Sequence, residues 1–211
     1  APGLERRQWL VQQWRAAAAA LEHERAAQAL QRLVELEQQD LERLMLPIGA
    51  RPGASSSRQR PALDLLADHL EALGRHSQAS ALLLVSSESG ERRARRLRRG
   101  VLLGGGLSLA ERDRWLELAL DEAAASQAWG LASDLLDDQV WLHLQAGELP
   151  AKAVQRRIRL SQRLDDAYGE WRLRRHDPLD RSRAEALEQR LRSPSSPGGH
   201  AGVPAPRRSL P

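Results

Sequence analysis

The sequence has no cysteine, no phenylalanine, one methionine, one tyrosine (Tyr168) and one lysine (Lys152). The missing thiols exclude disulfides, thiolate metal sites and cysteine nucleophiles. They also fit a reducing compartment, so a cytoplasmic location is expected. β-Branched and aromatic residues, which favour strands, are scarce, and this argues against an all-β fold. No apolar run reaches the ~18 residues that a membrane helix needs. The run Val101-Leu102-Leu103 is too short and stops at Gly104-Gly105-Gly106. No membrane span is therefore expected, and no secretory signal is read in these residues. With lysine nearly absent, the cations are arginines. The pI near 10.7 reflects guanidinium groups that keep their proton to very high pH, while the net charge is only +4.

Leucine and alanine fill the space that these absences leave, and both are strong helix formers. The 211 residues allow one domain, or one domain with tails. Six tryptophans supply nearly all the aromatic volume. Most should be core, with Trp9 the exposed one because it falls off the Leu4–Val11–Trp14 stripe.

Apolar spacing of three and four predicts helices over 3–22 and 24–45, either as one rod or as a tight pair breaking near His23. Pro47, Gly49, Pro52 and Gly53 open a loop over 47–60. A hairpin follows over 61–88: helix 61–73 starts at Pro61, Gly74 ends it, and helix 76–88 returns. Residues 89–107 read as an Arg/Gly-rich linker. Ser108 and Glu111 then form a capping box that starts the next helix.

The C-terminal part, 108–192, continues with a helix over about 127–146 and another from Pro150 with the stripe Val154, Ile158, Leu164, Tyr168 and Trp171. Asp177-Pro178-Leu179-Asp180 marks a last start signal. Residues 193–211 are rich in proline, serine and glycine without apolar periodicity, and a disordered tail is expected. The predicted class is all-α: antiparallel helical hairpins arranged as an irregular α-solenoid or as a helical bundle.

Leu66-Ala67 and Leu70, then Gly74, Ala79 and Leu83, place large and small residues in the order seen in a tetratricopeptide repeat. Ala27, Ala79 and Ala132, spaced 52 and 53 residues apart, align the other hairpins with it. The chain thus resembles helical-hairpin repeat proteins over one good hairpin and others that are degenerate. Their period of about 34 residues requires insertions here. The resemblance implies a non-enzymatic scaffold that binds a protein partner through a groove between hairpins, since stacked hairpins offer extended concave surfaces.

Two other functions stay open. Arg92, Arg93, Arg95, Arg96, Arg98 and Arg99 form a cationic block suited to phosphates or an acidic partner. No aromatic residue interleaves with them for base stacking. Asp134, Asp137 and Asp138, with Asp165, Asp166 and Glu170, invite a Mg²⁺-dependent all-α hydrolase or transferase. Ordinary helix-surface acids paired with arginine are the simpler account. His23, His69, His76, His143, His176 and His200 have no metal-site spacing. No catalytic residue, metal site or cofactor motif is read.

Overall fold

Schellman turns punctuate this chain. In the computed structural model, which describes residues 2–48, 58–148, 150–175 and 180–192, a left-handed residue closes the helix ending before it by such a turn at five places. These residues are Leu21, Gly74, Gln127, Gly147 and Asp165. Each time the next N–H reaches back five residues: Glu22 to Ala17, Arg75 to Leu70, Ala128 to Ala123, Glu148 to His143 and Asp166 to Ser161. The turn satisfies carbonyls that the helix end leaves over and reverses the chain within two or three residues. Only two of the five positions are glycine, so three turns hold an L-residue where left-handed backbone is unfavourable.

Ten helices and two short strands are described. In order they are α1 (Pro2–Ala19), α2 (His23–Glu37), β1 (Met45–Ile48), β2 (Arg58–Pro61), α3 (Ala62–Ala72), α4 (His76–Leu84) and α5 (Glu91–Leu103). There follow α6 (Leu109–Ala125), α7 (Trp129–Gln145), α8 (Ala151–Arg163), α9 (Ala167–Arg174) and α10 (Arg181–Leu191). The all-α class holds, with one small antiparallel ribbon in which Met45 faces Pro61 and Ile48 faces Arg58. The chain divides into two compact units, 1–128 and 129–211. No described helix is long and apolar enough to cross a membrane.

In the first unit the main packing runs between sequence neighbours, from α1 against α2 through to α5 against α6. Leu10, Trp14 and Ala17 of α1 meet Ala26, Leu30 and Leu33 of α2, with Leu44, Leu46, Leu66 and Leu70 completing the core. The first turn of α3 has no side-chain cap. Its amides at Ala62 and Leu63 donate instead to the carbonyls of Leu44 and Leu41, which fixes the α3 start to the preceding turn. The capping box at Ser108 and Glu111 is present as expected.

Four expectations need correction. The helix expected over 24–45 ends at Glu37, where Gln38 turns left-handed, and residues 45–48 are a strand. The alternation around β1 is too short to outweigh the leucine periodicity in a sequence reading. The expected linker over 89–107 contains α5, which buries Ala94, Leu97 and Val101 at helical spacing together with Arg96 and Gly100. The helix expected from Pro150 through Trp171 breaks at Asp165 into α8 and α9. The second helix of the 61–88 hairpin also stops early, at Leu84.

In the second unit α7, α8, α9 and α10 pack in sequence order. Leu131, Leu135, Leu136 and Leu142 are buried on α7, and Leu187 on α10. The stripe expected on α8 is displaced: Ala153, Arg157 and Ser161 are buried there, while Tyr168 of α9 is 58% exposed. Most of the Asp177–Asp180 start signal and the tail over 193–211 lie outside the described residues; Asp180 is the N-cap of α10.

Candidate functional site

The arginine block is built into the first unit. Helical geometry splits 92–99 into two faces. Arg93, Arg96 and Arg99 share the inner one, three residues apart. Arg96 is only 3% exposed and is surrounded by oxygen. Its Nε donates to Asp64 at 2.7 Å, and its Nη1 to Glu88 at 2.7 Å, Glu42 at 3.1 Å and the Ser86 hydroxyl at 3.1 Å. Arg99 donates to Asp68 at 2.6 Å and Glu71 at 2.5 Å, and Arg93 to Glu122 at 2.8 Å. Arg92 and Arg95 pair one turn back with Glu88 and Glu91. Arg98 is also engaged in an interaction.

Burial would raise the Glu42 pKa. Hydrogen bonds from Ser86 and Ser87 and the Arg96 charge instead hold it below the usual carboxylate value. Burial by itself would lower the Arg99 pKa, but the Glu71 and Asp68 carboxylates raise it. Arg96 and Arg99 therefore tie α5 to α3, Arg93 ties it to α6, and the donors of these contacts are directed into the chain.

The acid clusters divide in a similar way. Asp137 accepts from Arg157 at 3.2 Å and Arg172 at 2.6 Å. Asp166 caps α9 through the Gly169 amide at 2.8 Å and also holds Arg157 at 3.1 Å. Glu170 is buried and takes Arg174 at 2.8 Å, Arg183 at 3.0 Å and Gln162 at 2.9 Å. Its burial works to raise the pKa, and these partners bring it below the ordinary value. Asp165 pairs with Arg190 at 2.8 Å, and Asp134 and Asp138 have interactions of their own. Among the described residues no group of three or more histidines and carboxylates is arranged to hold a metal ion.

One open groove lies within the first unit between α4, the turn after α5, and α6. Its volume is about 390 Å³. Ser80, Leu84 and Gly104 form its buried floor, Leu107 and Trp115 are half-buried along it, and Val85 stands 74% exposed at its edge. Backbone economy creates the floor. The Ser80 hydroxyl donates to the Gly100 carbonyl at 2.7 Å, drawing α4 and α5 together. A Cβ on Gly100 would come within 2.9 Å of the Leu84 side chain, and one on Gly104 within 2.8 Å of the Ser80 hydroxyl. Glu111 at the rim stays a carboxylate, because hydrogen bonds from the Ser108 side chain and backbone lower its pKa.

A second cavity of about 390 Å³ adjoins α1, β1 and α3, with Trp14 and His69 in its wall. His69, buried, accepts from the Trp14 indole at 3.2 Å and lies 3.1 Å from the His23 ring nitrogen. No spacing in the sequence joins residues 14, 23 and 69; only their apolar surroundings are visible in it. Trp9 is 57% exposed as expected, but most tryptophans are not core: only Trp14 is buried, Trp141 is exposed, and Trp115, Trp129 and Trp171 are half-buried. The small-residue register also shifts. Ala26, not Ala27, stands five residues beyond its left-handed turn, as Ala79 and Ala132 stand beyond theirs.

Comparison with protein-family models, with curated proteins and with solved structures returns no match.

Proposed function

We propose that the first unit is a non-enzymatic interaction module that seats an apolar side chain of a protein partner in the α4–α6 groove. The observation that carries this reading is the groove itself: an apolar floor kept open by Gly104 and flanked by an exposed valine and a half-buried tryptophan. Isolated exposed apolar residues are ordinary on protein surfaces, whereas a lined depression beside one marks a contact site. The run of packing between sequence neighbours agrees with a stacked-hairpin scaffold. The Glu111 carboxylate favours a partner with a cation beside its apolar anchor.

A peptide library panned on the full chain and counter-screened on Val85→Asp tests this. Enriched peptides should share a large apolar residue with a neighbouring Arg or Lys. They should lose at least about tenfold in affinity for Val85→Asp and for Trp115→Ala. Peptides that bind both variants as well as the parent chain would end the proposal.

A further inference from the structure

Three helices of the first unit meet at one buried chain of hydrogen bonds, and its proton placement is fixed by chemistry. The Trp14 indole on α1 can only donate. Nε2 of His69 on α3 must therefore accept, at 3.2 Å. His69 then carries its proton on Nδ1, which leaves Nδ1 of His23 on α2 as the acceptor at 3.1 Å. The two imidazoles sit with centroids 5.4 Å apart. A second proton on His69 sets an N–H against the indole N–H. A second proton on His23 sets two N–H groups against each other. The chain exists only with both rings neutral.

Little around it would stabilise an imidazolium. Asp68, next along α3, is the carboxylate acting on His69, and its oxygens already take Arg99 of α5 at 2.6 Å and Arg60 of β2 at 2.7 Å. From α1, Arg15 lines the same cavity, and β1 presents Pro47 and Ile48. On α2, Glu24 beside His23 is paired with Arg75 at 2.7 Å.

We propose that Trp14, His69 and His23 form an acid-operated latch on α1. Neutral, it ties α1 to α2 and α3. Protonated, it releases the Trp14 side of α1 and widens the adjoining cavity. Burial lowers the His69 pKa below its ordinary 6.5, the neighbouring His23 lowers it further, and Asp68 opposes them. Because the folded value is the lower one, the latch is complete above pH 6.5 and is lost as pH falls through the folded pKa.

Hydrogen exchange on the full chain at pH 7.5 and 5.0, corrected for intrinsic rates, reads the latch directly. Protection across α1 should fall at the lower pH, while α5 and α6 hold theirs. The paired variant His23→Gln/His69→Gln, which keeps donors and acceptors but cannot titrate, should lose the difference between the two pH values. An NMR titration of wild-type His69 gives an independent reading if that variant does not fold. Constant α1 protection in the wild type, a His69 midpoint at or above that of a free histidine, or an unchanged pH response in the paired variant each overturns the proposal.

Discussion

Replacing Arg96 by methionine keeps most of the side-chain volume but removes the charge that three carboxylates share. Asp64, Glu42 and Glu88 lie 2.7, 3.1 and 2.7 Å from the guanidinium, and Arg96 is 3% exposed. Removing one partner of a buried ion pair costs about 3–5 kcal/mol, because the remaining charge is left without compensation. Here the acids retain some contact with water, with side chains 18%, 15% and 31% exposed. The lower end, about 3 kcal/mol, therefore applies. Urea unfolding at pH 7.5 should show that loss. The sign of its pH dependence follows from Glu42. In the parent chain its pKa is lowered, so its contribution is present above the unfolded value of 4.5 and is lost as pH falls through the folded one. Without Arg96 that lowering weakens, and Glu42 takes up its proton more readily. The difference between parent and variant should therefore shrink as pH falls from 7.5 to below 4.5, through the folded Glu42 value. The triple variant Arg96→Met/Asp64→Asn/Glu42→Gln should recover part of the stability at pH 7.5. A loss below about 1 kcal/mol, the level of an exposed pair, or the same loss at both pH values, would refute this reasoning.

Leu21→Gly and Gln127→Gly should each stabilise by about 1 kcal/mol in thermal or urea unfolding, since φ is 60° and 57° there and glycine removes the left-handed penalty. The reverse change, Gly74→Ala at φ 71°, should cost a similar amount. Gly100→Ala should destabilise by about 1–3 kcal/mol despite the better helix propensity of alanine, because its Cβ meets Leu84 and the Ser80 carbonyl. Adding Leu84→Ala should return part of that loss. Arg92→Gln/Arg95→Gln removes two exposed pairs and should change stability by less than about 1 kcal/mol. Retention on heparin should also fall little, and a large fall would restore the cationic block as a binding surface.

Helical content and most turns were legible because they depend on local chemistry. Gly74, Gly147 and the Ser108–Glu111 box mark helix ends within four residues. What stayed hidden depends on partners distant in sequence. Arg96 reaches Glu42 across 54 positions, and Trp14 reaches His69 across 55. Nothing in the run 91–103 distinguishes a solvated arginine from one enclosed by acids on α3 and the preceding loop. The apolar triplet Ala94, Leu97 and Val101 was present, but six arginines obscured it. Arg157 of α8 is hidden in the same way, since it is buried against Asp137 and Asp166. Periodicity analysis counts apolar residues, so a helix that buries cations is read with the wrong face inward.

The left-handed turns also sharpen the spacing. Leu21, Gly74 and Gln127 lie 53 residues apart in succession. At the same interval fall the buried Leu10, Leu63 and Leu116 before the turn, and the buried Ala26, Ala79 and Ala132 after it, followed by Leu30, Leu83 and Leu136. Within the first unit, the small residue five positions past the turn, Ala26 or Ala79, lets helices approach, and a leucine on each side fills the remaining space. Two helices and a turn need fewer than 53 residues, and the surplus is spent differently each time. After α2 the chain makes the β1–β2 ribbon, and after α4 it makes α5. The second choice requires Ser80 to bond the Gly100 carbonyl and Gly100 to lack a side chain. That close approach leaves the Leu84 face and Gly104 as the floor of the groove. The α4–α6 depression is thus a consequence of the added helix, and its apolar lining comes from the same residues that admit α5.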